Sequence, residues 1–176
     1  PDKVKLLPEP DALPYERITP DSLTSLERLR VLADLASPDK NLPFIVVVPA
    51  HALMMKQPSH QIVKDSFHTV KEGMNIDPLA LMKKWQALGY QTDSIVEIPG
   101  TMGKRGGIID IYPPTAELPA RIEFFGNTIE SIRLYDPANQ RSLKKIDNLT
   151  IGMATELILD TSLSAEQVIN SLDLSD

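Results

Sequence analysis

The sequence predicts a mixed fold, in which a partial α/β layer built on a parallel sheet precedes an α+β domain with an antiparallel sheet meander. The order strand, helix, strand, helix over residues 1–72 predicts the first part. A single helix followed by several short strand patterns, with turn residues between them, predicts the second part. Because 42% of the 176 residues are hydrophobic, the chain has enough apolar side chains to bury a core.

The composition narrows the classes of function. The chain has 24 acidic and 18 basic side chains, and its net charge of −6 argues against general nucleic-acid binding, since phosphate contacts need a positive surface. The lack of cysteine excludes a disulfide scaffold and a thiolate zinc site. The longest apolar run, Phe44 to Val48, is too short to cross a bilayer, and the start of the chain has no signal-peptide pattern. We therefore expect a cytoplasmic protein that has no membrane partner.

The first predicted elements follow from apolar spacing and from proline. The apolar run Val4 to Leu7 predicts a strand, which Pro8 closes. Leucine recurs every three residues from Leu23 to Leu35, which predicts a helix that begins near Asp21 and ends before Pro38.

The run Phe44 to Val48 is continuous and β-branched, the pattern of a strand that is buried on both faces in a parallel sheet. A short helix over Ala50 to Met55 should follow. Two strands and two helices are too few for a complete doubly wound domain. We therefore expect the chain to be a piece of a longer protein and to lack the first strands of this layer.

A change of pattern marks the second part. Alternating apolar and polar residues from Ser66 to Glu72 predict a strand. Asp77 is a favourable N-cap and Pro78 suits the first helical position, so a helix should run from there to Gly89. Further strands are expected over Ser94 to Ile98, Gly107 to Tyr112, Arg121 to Phe125, Thr128 to Tyr135 and Asn148 to Met153, with Gly126-Asn127 as a two-residue hairpin turn.

The predicted domains are residues 1–72, the partial α/β layer, and residues 73–153, the α+β module. Residues 154–176 are expected to form a return linker and a C-terminal helix. A capping box of Ser164 and Gln167 predicts that helix.

A glycine-rich stretch, Gly100 to Gly107, resembles a phosphate-binding loop only superficially. Such a loop needs four residues between its glycines and a helix after its lysine, whereas two residues separate Gly100 from Gly103 and a strand follows. One interpretation is a flexible β-turn. The other is a loop that presents Lys104 and Arg105 to carboxylates on a partner.

No motif supports catalysis or metal binding. A nucleophile elbow is absent, and the three histidines, His51, His60 and His68, do not have the spacing of metal ligands. Asp110 lies inside an apolar strand, where an ion pair with Arg121 or Arg133 is favoured over a catalytic role. Trp85 lies on the apolar face of its helix and is expected in the core.

Three segments resemble a module shared by the bacterial repair protein UvrB and the transcription-repair coupling factors (Mfd). They are Leu88-Gly89-Tyr90, the run RGGIIDIYP from Arg105 and the run RIEFFGNTIESIR from Arg121. The earlier segments PDALPYE from Pro10, Thr19-Pro20-Asp21 and Glu27-Arg28-Leu29 are similar to the coupling factors rather than to UvrB. The resemblance covers about residues 4–160.

The resemblance implies an N-terminal, UvrB-like region. Residues 1–72 would then be the remnant of a RecA/UvrB-like domain 1, and residues 73–153 would be a UvrA-binding module similar to UvrB domain 2. The RNA-polymerase-binding domain and the ATP-driven motor of the family would lie outside this sequence. It implies a monomeric, non-catalytic fragment without cofactor or metal, which docks UvrA and meets RNA polymerase and DNA only through those other domains.

The resemblance also implies where UvrA would bind. UvrB carries three arginines at this contact, and the matching positions here are Thr92, Gly103 and Arg105, of which only Arg105 is an arginine. The partner-binding residues predicted on this basis are Tyr90, Gln91, Thr92, Gly103, Lys104 and Arg105. Coupling factors also pack this surface against their own motor until transcription stalls, so occlusion would regulate it.

Two alternatives remain open. The first is a fragment of a UvrB-type ATP-dependent DNA-damage repair helicase, which should carry a tyrosine-rich hairpin, whereas the four tyrosines here are scattered at Tyr15, Tyr90, Tyr112 and Tyr135. The second is a plain scaffold whose meander is only structural, in which case substitution of Arg105 would change nothing.

Overall fold

The computed structural model describes residues 4–10, 22–36, 45–55 and 57–156. The predicted C-terminal helix at Ser164 lies outside these ranges. The elements, in chain order, are β1 (Val4–Leu6), α1 (Ser22–Ala36), β2 (Ile45–Val47), α2 (Ala50–Met54), α3 (His60–Ser66), β3 (His68–Lys71), α4 (Pro78–Ala87), β4 (Gln91–Thr92), β5 (Thr101–Arg105), β6 (Ile108–Ile111), β7 (Ala120–Phe125), β8 (Thr128–Tyr135), β9 (Ser142–Ile146) and β10 (Asn148–Ile151).

The first part contains the predicted parallel pair, β1 with β2. The prediction that β2 is buried on both faces is wrong, because Ile45 and Val47 are 64% and 48% exposed. The register places these two residues opposite exposed residues of β1, on one uncovered face. The other face points toward α1, where Lys5 pairs with Asp34 at 2.8 Å. Assignment of this layer to a RecA-like domain remains a prediction.

A buried arginine joins the first part to the segment that follows β10. Arg28 of α1 is 2% exposed. Its guanidinium donates to both carboxylate oxygens of Glu156, at 2.6 and 2.8 Å, and to the side chain of Gln57 at 2.8 Å. The Pro8 carbonyl accepts a further bond from it. Four separate segments therefore meet at one cation.

The second part contains the predicted antiparallel meander. Six strands form one sheet in the order β4-β5-β6-β7-β8-β9, with every pair antiparallel except β4 and β5. Gly126-Asn127 forms the predicted tight turn between β7 and β8. The other two-stranded pair, β10 with β3, adds buried residues to the same core. The largest fully buried side chains of this core are Trp85, Leu81, Met102, Ile109, Ile111, Ile122, Ile129, Ile132, Ile151 and Val70.

The helix α4 has the predicted start and end. The Asp77 carboxylate accepts from the Leu79 amide at 3.0 Å, and Pro78 occupies the first turn. Gly89 follows the helix with φ +93°, a left-handed conformation that favours glycine. Trp85 is fully buried, as predicted, so α4 packs its apolar stripe on the sheet.

Several predicted elements differ from the structure. Thr101–Arg105 is strand β5, so the interpretation of this stretch as a flexible turn or loop is wrong, and the turns lie on either side of it, at Pro99-Gly100 and Gly106-Gly107. The expected strand at Ser94 to Ile98 is wrong, since that segment is irregular. The sequence pattern does not predict helix α3 or strands β4 and β9. These elements are short or almost entirely exposed, so they lack a clear apolar period.

None of the helices in the described ranges has the length and apolarity needed to cross a membrane. The division of the chain into residues 1–72, 73–153 and 154–176 remains a prediction.

A partly buried hydrogen bond links β3 to α4. The Trp85 indole N–H donates to Nε2 of His68 at 2.9 Å, so this nitrogen must be unprotonated. Burial, and then the charge of Lys84, lower the pKa of His68 below its ordinary value of 6.5, and the Ser66 carbonyl near Nδ1 opposes that shift. The folded protein therefore prefers the neutral imidazole.

We predict that acid weakens this part of the fold. Because the unfolded chain takes up the proton first as the pH falls below 6.5, the free energy of unfolding should decrease through that window and be fully retained above it. Trp85 is the only tryptophan, so denaturant titrations followed by its emission give the free energy of unfolding at each pH from 8 to 5. A His68→Asn variant should show a smaller decrease of this free energy; an undiminished decrease in that variant would contradict the assignment to His68.

Candidate functional site

A buried carboxylate organises one face of the six-stranded sheet. The Asp110 side chain on β6 is 4% exposed, and its two oxygens accept from Nε and Nη2 of Arg121 on β7 at 2.8 and 2.9 Å. Asp110 and Arg121 are direct cross-strand partners in the register. This bidentate pair confirms the predicted ion pair and selects Arg121, since Arg133 lies one strand further away and pairs with Glu123 at 3.9 Å.

The same pair holds neighbouring groups in place. The Arg121 guanidinium lies 4.7 Å above the centre of the Tyr135 ring, and the Tyr135 hydroxyl donates to the Val96 carbonyl at 2.9 Å. The bond to Asp110 raises the pKa of Arg121, and burial raises the pKa of Tyr135. Arg121 therefore stays charged and Tyr135 stays a neutral hydrogen-bond donor at physiological pH.

A second arginine reaches the same carboxylate from the end of β5. Nη2 of Arg105 lies 3.3 Å from Oδ2 of Asp110, while the Arg105 side chain is 59% exposed. Among these three side chains, one negative and two positive, Arg121 already pairs with both carboxylate oxygens. Arg105 is therefore the second cation of this cluster and the exposed one.

Lys104 and Arg105 point to opposite faces of the sheet. Lys104 is the cross-strand partner of Ile109, which lies in the core, whereas Arg105 pairs with Asp110 on the other face. Both side chains are exposed. The two cations therefore flank the end of β5, and the prediction that a loop carries them is corrected to a strand end next to a two-glycine turn.

Gly103 is required by a close approach of the chain. A Cβ at this position would lie 2.5 Å from the Asp93 carbonyl oxygen and 3.3 Å from Cγ2 of Val96. The backbone after β4 therefore occupies the space that any side chain on Gly103 would need. This packing therefore leaves no room for an arginine side chain at position 103.

The remaining predicted site residues divide into exposed and buried ones. Gln91 and Thr92 form β4 at the edge of the sheet and are exposed. Tyr90 is 2% exposed, its hydroxyl donates to the Gly152 carbonyl at 3.1 Å, and burial raises its pKa. Tyr90 and Gly103 are therefore buried, and only the other four residues have exposed side chains.

We name the exposed group Gln91, Thr92, Lys104 and Arg105 the docking edge. Two exposed cations and two polar side chains on a rigid sheet can pair with carboxylates and amides of another protein. In the described ranges, no three side chains of the metal-ligating kinds lie together.

Comparison with known proteins supplies the family. Residues 69–157, about half of the chain, match the family described as "UvrB interaction domain". Residues 69–157 include α4 and all six strands of the meander. The docking edge therefore lies inside the matched region.

The full-length relatives are transcription-repair coupling factors. The chain is 33% identical to that of Myxococcus xanthus over 157 residues, 89% of this chain. It is 34% identical to that of Mycobacterium bovis over 93% of this chain, and 39% identical to that of Bacillus subtilis over 65%. The chain spans only 10–14% of the length of these curated relatives.

We predict that Asp110→Asn destabilises the protein by about 3 kcal/mol, because it leaves the half-buried Arg121 without its counter-charge. Chemical denaturation measures this change. The control Glu72→Gln breaks the exposed Lys145–Glu72 pair and should cost less than about 1 kcal/mol. Equal losses in the two variants would contradict the organising role of Asp110.

We predict that Gly103→Ala destabilises the protein by about 1–3 kcal/mol, because its methyl group overlaps the Asp93 carbonyl. Thr92→Ala on the exposed neighbouring strand is the control and should stay within about 0.5 kcal/mol of the wild type. Thermal unfolding checks both variants. A wild-type melting temperature for Gly103→Ala would show that the segment after β4 moves aside without cost.

Proposed function

Since the chain belongs to the UvrB interaction domain family, we propose that it is a non-catalytic recruitment module. The docking edge binds the excision-repair protein UvrA. The parent protein is a transcription-repair coupling factor, which uses this module to connect a stalled RNA polymerase to nucleotide excision repair. The module acts in the cytoplasm as a monomer, and contacts with RNA polymerase and DNA belong to other domains of the parent.

The proposal rests mainly on one observation, that Arg105 is exposed and at the same time held in place by Asp110. Its guanidinium is exposed, yet Asp110 lies 3.3 Å away and restrains it, so little side-chain freedom is lost when a partner binds. The bidentate Arg121 pair leaves Arg105 as the second, exposed cation of the cluster. A carboxylate on the partner completes the arrangement.

The chemistry of the edge agrees with a binding role. An arginine near the centre of an interface can contribute about 2 kcal/mol or more. The net charge of −6 does not oppose this contact, because the local potential steers an approaching partner. Tyr90 and Gly103 contribute to the docking edge indirectly. Tyr90 anchors β4 in the core, and Gly103 leaves room for the backbone after β4 to pack beside β5.

We predict that Arg105→Glu weakens binding to UvrA of the same organism by about tenfold or more, which corresponds to about 1.4 kcal/mol. The reversed charge repels the acidic group that Arg105 would meet. Titration by calorimetry or fluorescence anisotropy measures the dissociation constant. Arg105→Lys keeps the positive charge but loses the planar guanidinium, so its dissociation constant should lie between those of the wild type and Arg105→Glu.

The matched control is Arg141→Glu, which makes the same charge change in the exposed turn between β8 and β9. It should bind as the wild type does. If the wild type and Arg105→Glu bind with equal affinity, the interface with UvrA lies elsewhere on the protein. Absence of binding by the folded wild type would contradict recruitment of UvrA and favour the scaffold interpretation.

A further inference from the structure

The segment between β4 and β5, residues 93–98, is irregular but firmly held, and we name it the shelf. At its start, the Asp93 amide donates to the Met102 carbonyl at 2.8 Å. At its end, the Ile98 carbonyl accepts from the amide and the hydroxyl of Thr101 at 3.2 and 2.6 Å. In its middle, Val96 is 1% exposed and its carbonyl accepts from Tyr135. The shelf therefore has one conformation imposed at three points.

The shelf holds two isoleucines in solvent. Ile95 and Ile98 are 49% and 58% exposed, on either side of the buried Val96. Single exposed apolar residues are common on proteins. Here, however, two β-branched side chains are fixed on a rigid segment, so a partner that covers them gains apolar burial and loses little conformational entropy.

The shelf adjoins the end of β5 that carries Arg105. Its backbone at Asp93 and its Val96 side chain pack against Gly103, two residues before Arg105. Gly103 and Arg105 project from the same face of β5, because they are two residues apart on one strand, and the Val96 carbonyl accepts from Tyr135 of the same sheet. The shelf, which carries the two exposed isoleucines, therefore covers the same face of the sheet as the one from which Arg105 projects.

We infer that the shelf is the apolar half of the docking edge, with Ile95 and Ile98 as its specificity-determining residues. The inference rests on the proposed function and names the chemistry of the same partner. The partner surface should pair an apolar recess, which receives the two isoleucines, with a carboxylate that meets Arg105. The centre of an interface is more apolar than its rim and is enriched in arginine. A partner with acidic groups alone would leave the isoleucines in water.

The test is a titration of UvrA with the double variant Ile95→Ser/Ile98→Ser and with the two single variants. We expect the double variant to bind about tenfold more weakly or worse, because both apolar anchors are lost. Leu79→Ser is the matched control, since Leu79 is 57% exposed on α4, on the other side of the sheet, and should leave binding unchanged. Trp85 emission and thermal unfolding show that each variant is folded.

The salt dependence of binding distinguishes the contribution of Arg105 from that of the two isoleucines. Raising the ionic strength from 0.1 to 1 M shortens the Debye length from about 10 to about 3 Å, so the loss caused by Arg105→Glu should shrink. The loss caused by the isoleucine substitutions should persist, since apolar burial does not depend on charge.

Each outcome is decisive. If the isoleucine variants bind as the wild type does while Arg105→Glu binds weakly, the inference is wrong and the proposed function stands. If Leu79→Ser binds as weakly as the double variant, the shelf has no special role. If the folded wild type does not bind UvrA, the proposed function fails, together with the inference that rests on it.

Discussion

The buried carboxylate of Asp110 is the interaction on which the functional face of this domain depends. One negative charge that is almost removed from water must be neutralised, and the cross-strand register places Arg121 directly opposite it. Arg121 in turn covers Tyr135, and Tyr135 holds the shelf through Val96. One of the three points that hold the shelf is therefore linked to the neutralisation of Asp110.

The two faces of the meander have different tasks. One face packs isoleucines and Met102 against α4, and this apolar core keeps the sheet rigid. The other face carries the polar cluster, where the bond geometry restrains Arg105 without burying it. A rigid scaffold with exposed groups at one edge suits recognition, because ordering these groups costs little when a partner binds.

Local signals predicted much of the fold. Asp77, Pro78 and Gly89 mark the ends of α4 by their own backbone preferences, and Gly126-Asn127 marks a hairpin without any long-range contact. Strand β5 escaped prediction because its two-residue alternation is hidden by a glycine and two cations. Its pairing with β6, which only the folded chain forms, makes it a strand.

The sequence alone specified strands β6, β7 and β8 of the meander, the caps of α4, the lack of cysteine chemistry and the motifs by which the family was identified. These properties depend on residue type and on near neighbours in the chain. Only the tertiary structure decided that Arg121 pairs with Asp110, that Gly103 has no room for a side chain, and that Tyr90 is buried. Such features depend on strand register and packing between distant segments, which residue type alone does not specify.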